Sequence, residues 1–495
     1  MIALLCVVYA FLRRWLMAAK TGQSDPEGAG RIVLLSTIAL GATPFIALPA
    51  RSATADAVLT LWITATILCL ANADLLTRTG ARSANLWYLA AAGCSGAGFL
   101  TKGPVAVVIP GAVWLAYHAF SRTLKNELRR PWIKSCLVFL LIAAPWYVAI
   151  YMVDGAGFFR HFFLRENVAR FLTVLDGNGP PNRLLGLVTY VPVALVFGFP
   201  FSVLALRDLI RPFDRNQDFQ TDDVVRSIRR WCWIWVAALF VVFSLSRTQL
   251  PSYILSMGTP IAVVFGLHVW ARDSQASSAG KRAAWLQGLL LLLLAIFWMV
   301  VLLFLLLKGL PGPLGREPTP PPLSTVVGSL CVIAGGCLIY AVCRWGFRDS
   351  AYQALCAWLL PAWMALLLVA AVGVAPIIVR SGYLPCLLIG RQIGQIPRAE
   401  PALTWTRQAP ESLVFYSGRR IEFHQKDREA LLARLDELTK GGRTCLLVCE
   451  DASLLALEKR PGRRFTPILF AGSAVLLRVS GAAAGDHEPE MKREK

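Results

Sequence analysis

The sequence predicts an α-helical, polytopic membrane bundle of about twelve spans, followed by a small soluble α/β domain. Three observations carry this. Apolar runs of span length recur, charged residues are too few for a soluble chain, and basic residues gather in alternate loops. Of 495 residues, 56% are hydrophobic and 16% charged, against about 25% charged in soluble domains. About 18 apolar residues cross roughly 30 Å of hydrocarbon at 1.5 Å per residue.

Spans are expected over residues 2–12, 32–50, 55–75, 86–100, 104–119, 134–153, 184–206, 231–246, 252–270, 284–307, 324–343 and 352–379. The bundle thus covers 1–379, the soluble domain 380–480 and a disordered tail 481–495. Alternate loops carry 22 and 9 basic residues, counted up to the last span. The richer set, which includes Arg13, Arg14, Arg78, Arg130 and Arg230, is cytoplasmic by the positive-inside rule. The soluble domain then lies outside the cytoplasm. The net charge of +20 is spread over short loops and forms no nucleic-acid-binding face. Most cysteines lie in the spans, where free Cys acts as a small hydrophobe. Only Cys386, Cys445 and Cys449 fall in the soluble domain, and no spacing suggests zinc. No cofactor is read from the residues, and a divalent cation is left open.

The first run, Ile2–Leu12, is short for a span. The charge pattern starts it outside with almost no N-terminal tail. The expectation is a chain lacking an N-terminal helix and the loop after it.

Five features fall on the outer face. Asp56, in Thr54-Ala55-Asp56, stands at the mouth of a span, as a helix cap or as a functional acid. Lys102, in Thr101-Lys102-Gly103-Pro104, sits at a turn where Gly-Pro breaks an apolar stretch; it either pairs with a phosphate or snorkels. The loop from Asp154 to Asn182 holds Phe158–Phe171, an interfacial amphipathic segment with a cationic edge suited to a lipid phosphate. Its alternative is a plain anchor. The turn Phe243–Tyr253 offers Arg247 and Tyr253 as donors, or is an ordinary interfacial turn. Lys308–Pro322 is an extended Pro- and Gly-rich loop.

Together with Ala144-Pro145-Trp146-Tyr147, Tyr190-Val191-Pro192, Gly198-Phe199-Pro200 and Leu250-Pro251-Ser252-Tyr253, these segments resemble the protein O-mannosyltransferase and lipid A aminoarabinose transferase group. The resemblance runs over nearly the whole chain. It implies a GT-C-type fold of about thirteen spans, with active site and C-terminal domain on the periplasmic face of a bacterial inner membrane. It also implies transfer of a sugar from a polyprenyl phosphate to a lipid A, glycan or protein acceptor. By position, Asp56 matches a family acid near the catalytic cavity. Arg170 and Tyr253 match donor-phosphate contacts, and Lys102, Glu166 and Arg247 match polar positions around them. Two departures stand out. The family's Asp-Glu motif in the first external loop, and the donor-binding Lys after it, have no counterpart. Gln249 replaces a second basic residue in the Arg247 turn.

Charge building on the leaving phosphate would be met by Arg170, Tyr253 and Lys102. Asp56 would orient the acceptor or act as base. The alternatives are a catalytically inert homologue or partner subunit, and a lipid-linked-sugar transporter. No internal repeat of the transporter kind is seen. In the soluble domain, Leu413–Tyr416 and Ile421–His424 are expected as strands around Gly418, Asp427–Thr439 as a helix, and Thr444–Cys449 and Phe465–Val479 as further strands.

Overall fold

The computed structural model describes residues 1–18, 26–47, 49, 54–78, 83–127, 130, 132–173, 183–210, 223–272, 281–308, 321–346, 352–374, 386–405, 411–424, 428–440, 442–450, 463–471 and 474–481. The Arg51 turn, most of the Pro-rich loop, the last third of the 154–182 loop and nearly all of the expected tail lie outside the described residues. The chain forms two compact units, Met1–Leu294 with Ile339–Trp363, and Ala295–Leu338 with Met364–Lys495.

In the first unit, α1 (Ile2–Ala18) continues past the two arginines expected to end it. Its buried face, Leu4, Val8, Phe11, Leu12, Trp15 and Leu16, keeps a helical period through that point. Next come α2 (Pro26–Ala42), α3 (Ala55–Arg78), α4 (Ala84–Lys102), α5 (Val105–Phe120), α6 (Trp132–Asp154) and α7 (Asp223–Leu245). A 3₁₀ segment, Pro251–Met257, leads into α8 (Gly258–Arg272).

Helix α3 is central. Every residue from Ile63 to Leu76 except Cys69 is buried, as expected of a mostly apolar helix with neighbours on all sides. Its neighbours approach closely: a Cβ at Gly98 would lie 2.9 Å from Ala106 and 3.0 Å from Trp62. Small residues allow this approach where lipid supplies no hydrophobic drive. Helix α6 is the opposite case. Only Ser135 and Ala143 are buried, while Ile133, Leu141, Met152 and Val153 are 76–84% exposed. Such a face suits hydrocarbon and not water.

Among the described residues, six helices are long and apolar enough to span: Ala55–Arg78, Trp132–Asp154, Asp223–Leu245, Pro251–Val269, Trp285–Phe304 and Val326–Arg344. Val105–Phe120 and Ala357–Val372 are shorter apolar helices. The expected span 184–206 is instead three short helices, Arg183–Val188, Tyr190–Phe197 and Phe201–Ile210. The breaks fall at Thr189 and at Gly198-Phe199-Pro200, whose Phe199–Pro200 bond is cis. The expected span 32–50 ends early, at Ala42, because Pro44 has no N–H to continue the ladder. Helices α9 (Lys281–Lys308), α10 (Pro321–Ala341) and α11 (Tyr352–Val369) follow.

The C-terminal domain has helix α12 (386–395), then β1 (Ala402–Trp405), α13 (Glu411–Ser417), β2 (Glu422–His424), α14 (Arg428–Thr439), β3 (Thr444–Glu450), β4 (Arg463–Ala471) and β5 (Ala474–Gly481). The sheet order is β2-β1-β3-β5-β4, with β2, β1 and β3 parallel and β5 antiparallel to β3 and β4. Alternation along β3 builds two cores. Leu446 and Val448 pack with Ile389, Ile393 and Leu413 on one face. Cys445, Leu447 and Cys449 pack with Leu431, Leu432 and Leu435 on the other. The cysteines are buried core groups, and all described cysteines are free. Cys6, Cys136, Cys337 and Cys343, however, are exposed.

The expected strand Leu413–Tyr416 is a helix. The reason is topological: β1 and β2 are parallel, so a crossover and not a hairpin must join them. Gly418, expected at a hairpin turn, ends that helix at φ +61°, with its N–H donating to the Val414 carbonyl at 3.1 Å.

Candidate active site

The candidate site starts from a helix break. Helix α4 stops at Lys102 because Gly103 takes φ +76° and Pro104 follows. The Gly103 N–H closes the last turn onto the Phe99 carbonyl at 2.8 Å. The close antiparallel approach of α3 and α4 at Trp62 and Gly98 then carries Lys102 to the opening turn of α3. There the Lys102 ammonium donates to the Asp56 carboxylate. Asp56 stands in the first helical turn, and its carboxylate is engaged by a cation from the neighbouring helix. The pair is partly open, with side chains 36% and 18% exposed for Lys102 and Asp56. It fixes geometry more than it adds stability, since exposed pairs contribute about 0–1 kcal/mol.

Tyr253 completes the group. Its ring centroid lies 5.2 Å from the Lys102 Nζ, a cation–π approach, and it packs on Phe243 at 5.3 Å. The 3₁₀ segment carrying Tyr253 is held by Tyr190, whose hydroxyl donates to the Leu250 carbonyl at 3.2 Å.

The Phe158–Phe171 segment is helical, as expected, but not uniformly α. Ala156–Phe159 and Arg170–Leu172 are α, and Arg160–Ala169 is a π-helix. Phe158 stacks on Phe162 at 5.2 Å and Phe159 on Phe163 at 5.7 Å. Tyr147 contacts all four rings and donates to the Phe99 carbonyl at 3.2 Å. Phe162 also lies directly under Gly103, 2.9 Å from where a Cβ would stand. The segment therefore braces the Lys102 turn. Glu166 and Arg170 contribute backbone to it, but their side chains lie outside the described residues.

Arg247 enters through its backbone: its N–H donates to the Phe171 carbonyl at 2.9 Å, while its side chain is exposed. Thr248 Oγ1 donates to the Thr173 carbonyl at 2.9 Å. Gln249, read from the sequence only as a missing base, is a staple. Its Nε2 lies 3.0–3.3 Å from the Gly186, Phe243, Ser244 and Ser246 carbonyls. Nothing in the local pattern marks this, because the carbonyls come from two separate segments. Among the described residues, no group of three or more His, Cys, Asp or Glu is placed to hold a metal ion.

Residues 6–162 match the family model of dolichyl-phosphate-mannose-protein mannosyltransferase. An undecaprenyl phosphate-alpha-4-amino-4-deoxy-L-arabinose arabinosyl transferase of Pseudomonas paraeruginosa is 29% identical over 307 residues, covering 62% of this chain and 51% of that protein. Over these stretches the chain is similar to glycosyltransferases. The Pseudomonas aeruginosa transferase of the same name is 28% identical over the same shares. The chain thus spans about half the length of the curated relatives it matches. The structure of ArnT from Cupriavidus metallidurans bound to undecaprenyl phosphate superposes with a TM-score of 0.67 at 19% identity, covering 98% of this chain and 83% of that one. Its apo form gives 0.64 at 18% identity, covering 98% and 84%. The resemblance read from the short motifs is borne out, and the fold is that of ArnT.

Proposed function

We propose that this chain is a membrane glycosyltransferase that moves a sugar from a polyprenyl-phosphate donor to a cell-envelope acceptor. The observation that carries the reading is the meeting of Asp56, Lys102 and Tyr253 at one end of a bundle with the ArnT fold. Three separate elements bring an acid, a cation and a phenol together where a lipid-borne phosphate can reach them. The charge asymmetry of the loops favours placing that end, and the 380–480 domain, outside the cytoplasm.

In this reading Lys102 and the Tyr253 hydroxyl, with Arg170, stabilise the charge gathering on the donor phosphate as the glycosidic bond breaks. Asp56 holds Lys102 in position before the donor arrives. It then orients a hydroxyl or phosphate acceptor, or takes the proton of a hydroxyl acceptor. By the family resemblance, Glu166 and Arg247 belong to the polar surround of the same site. The acceptor is lipid A, another glycan or a protein.

The test is transfer by the full chain in lipid nanodiscs. Undecaprenyl-phospho-sugars serve as donors, lipid A, glycan and protein substrates as acceptors, and mass spectrometry as the readout. Turnover is expected, falling about tenfold or more in Lys102→Ala and Asp56→Asn. Donor binding without transfer by any acceptor would favour the inert homologue. Lipid movement with neither would favour the transporter.

A further inference from the structure

The opposite end of the bundle carries a second polar cluster, which makes no contact with the residues proposed for sugar transfer. Arg78 lies 22 residues along α3 from Asp56, about 33 Å away at 1.5 Å per residue. That separation matches the hydrocarbon thickness of about 30 Å. There a cavity of about 440 Å³ opens between the end of α3, the end of α5, the Leu124–Glu127 turn and α7.

Two carboxylates line it, and both are sequestered. The Asp74 and Glu127 side chains are only 5% and 4% exposed. Asp74 accepts from the Tyr117 hydroxyl at 2.9 Å and from Arg78 Nε at 3.2 Å. Glu127 accepts from Arg130 Nε and Nη2, each at 3.1 Å, and from the Tyr88 hydroxyl. Their partner arginines are far more open: Arg78 is 38% and Arg130 25% exposed. Arg230 adds a third guanidinium, its Nη1 3.5 Å from Ser121 Oγ. No carboxylate among the described residues pairs with Arg230. The acids are thus taken up by hydrogen bonds from Tyr117, Tyr88 and two of the arginines, and Arg230 leaves the cavity lining with an excess of positive charge. Ser121, Thr123 and Asn126 supply neutral donors around it.

We propose that this cavity binds the phosphate of an anionic lipid headgroup, at the membrane surface opposite the transfer site. Guanidinium groups fit phosphate oxygens bidentately. Two of the three are already oriented by buried carboxylates, so little ordering remains to be done on binding. The volume suits a headgroup, and the depth along α3 places the cavity where headgroups lie.

The experiment is native mass spectrometry of the full chain released from detergent with dioleoyl phosphatidylglycerol, dioleoyl phosphatidylcholine or inorganic phosphate. Retention of phosphatidylglycerol is expected to exceed that of phosphatidylcholine about tenfold or more, and to fall about tenfold in Arg230→Ala. Arg230 holds no buried acid, so its removal strands none. Arg230→Lys, keeping charge without the fork, is expected between the two. Ser121→Ala is a second variant that leaves every ion pair intact and is expected to weaken retention. Displacement of phosphatidylglycerol by inorganic phosphate supports a headgroup-phosphate site. Phosphate binding without any lipid preference supports the same chemistry with free phosphate as the source. Equal retention of both lipids with no phosphate bound, or unchanged retention in Arg230→Ala, overturns the proposal. Sugar transfer at the other end is a separate readout, so either reading can fail alone.

Discussion

Gly103→Ala tests how the Lys102 turn is built. Gly103 sits at φ +76° and ψ −144°, a region almost confined to glycine, where another residue costs about 1–3 kcal/mol. The new methyl would also stand 2.9 Å from Phe162 Cε1 and Cζ. Carbon contacts are optimal near 3.5–4.0 Å, so the ring must retreat by more than about half an ångström. It is stacked on Phe158 and braced by Tyr147, so the overpacking costs about 1–3 kcal/mol more. The expected total is about 2–6 kcal/mol. The double variant Gly103→Ala/Phe162→Ala separates the two contributions. It removes the clash and leaves the backbone cost, to be compared with Phe162→Ala alone. Thermal unfolding in detergent gives the stability, and sugar transfer gives the Lys102 position. If Gly103→Ala unfolds within about a degree of wild type and transfers normally, the turn is not held by Gly103 and the bracing role of Phe162 is refuted.

Tyr253→Phe keeps the ring beside Lys102 and removes only the hydroxyl. Transfer is expected to fall about tenfold with unchanged stability, and a rate equal to wild type would remove the hydroxyl from phosphate binding. Glu127 predicts a pH dependence. Burial opposes its charge, but hydrogen bonds from Arg130 and Tyr88 outweigh this and hold the carboxyl below the usual range. Its folded pKa is depressed. Its stabilising contribution is therefore complete above the unfolded value of about 4.3 and is lost as pH falls through the folded value. Thermal unfolding is expected to decline with acid over that window in wild type and less steeply in Glu127→Gln; parallel curves would refute the assignment. In the C-terminal domain, Gly418→Ala places a Cβ at φ +61° and is expected to cost about 1 kcal/mol. Hydrogen exchange over residues 411–417 reads this, and unchanged protection would contradict the helix-cap role.

The bundle was legible because its signals are local. Apolar length, loop charge and the Gly103-Pro104 break each reside in a short stretch of sequence, and the helices form there. The failures were also physical. Arg13 and Arg14 mask the last third of α1, since two charges read as the end of an apolar run while the buried face keeps its period through Trp15 and Leu16. Leu413–Tyr416 has strand-like composition, yet the parallel pairing of β1 with β2 requires a crossover there. That pairing joins segments about twenty residues apart and leaves no local trace. For the site, Lys102, Asp56 and Tyr253 were each legible as polar residues on one face. Their contact depends on how closely α3 and α4 approach at Gly98. Gln249 is hidden in part for the same reason, because its shortest contact, the Gly186 carbonyl, lies in a distant segment.

Helix α3 joins the two polar ends. Asp56 and Asp74 are 18 residues apart on it, about 27 Å along the axis, and most of the stretch between them, from Ile63 on, is buried. Asp74 carries its cation Arg78 on the same helix, but it would lose Tyr117 on sliding as Asp56 would lose Lys102; such losses at partly or fully buried acids are costly, so each end resists displacement of the helix along the membrane normal. Sliding α3 toward the Asp56 end would draw Asp74 away from Tyr117 into the apolar interior. Sliding it the other way would pull Asp56 from Lys102. The buried Asp74 cluster, though far from the proposed transfer site, is therefore expected to help set the depth at which Asp56 and Lys102 meet. A weakened Asp74 cluster would act on transfer through the register of α3 and not through the chemistry. Asp74→Asn is accordingly expected to lower transfer while Lys102→Ala adds little further loss on top of it. Fully additive losses from the two changes would show that the ends are independent.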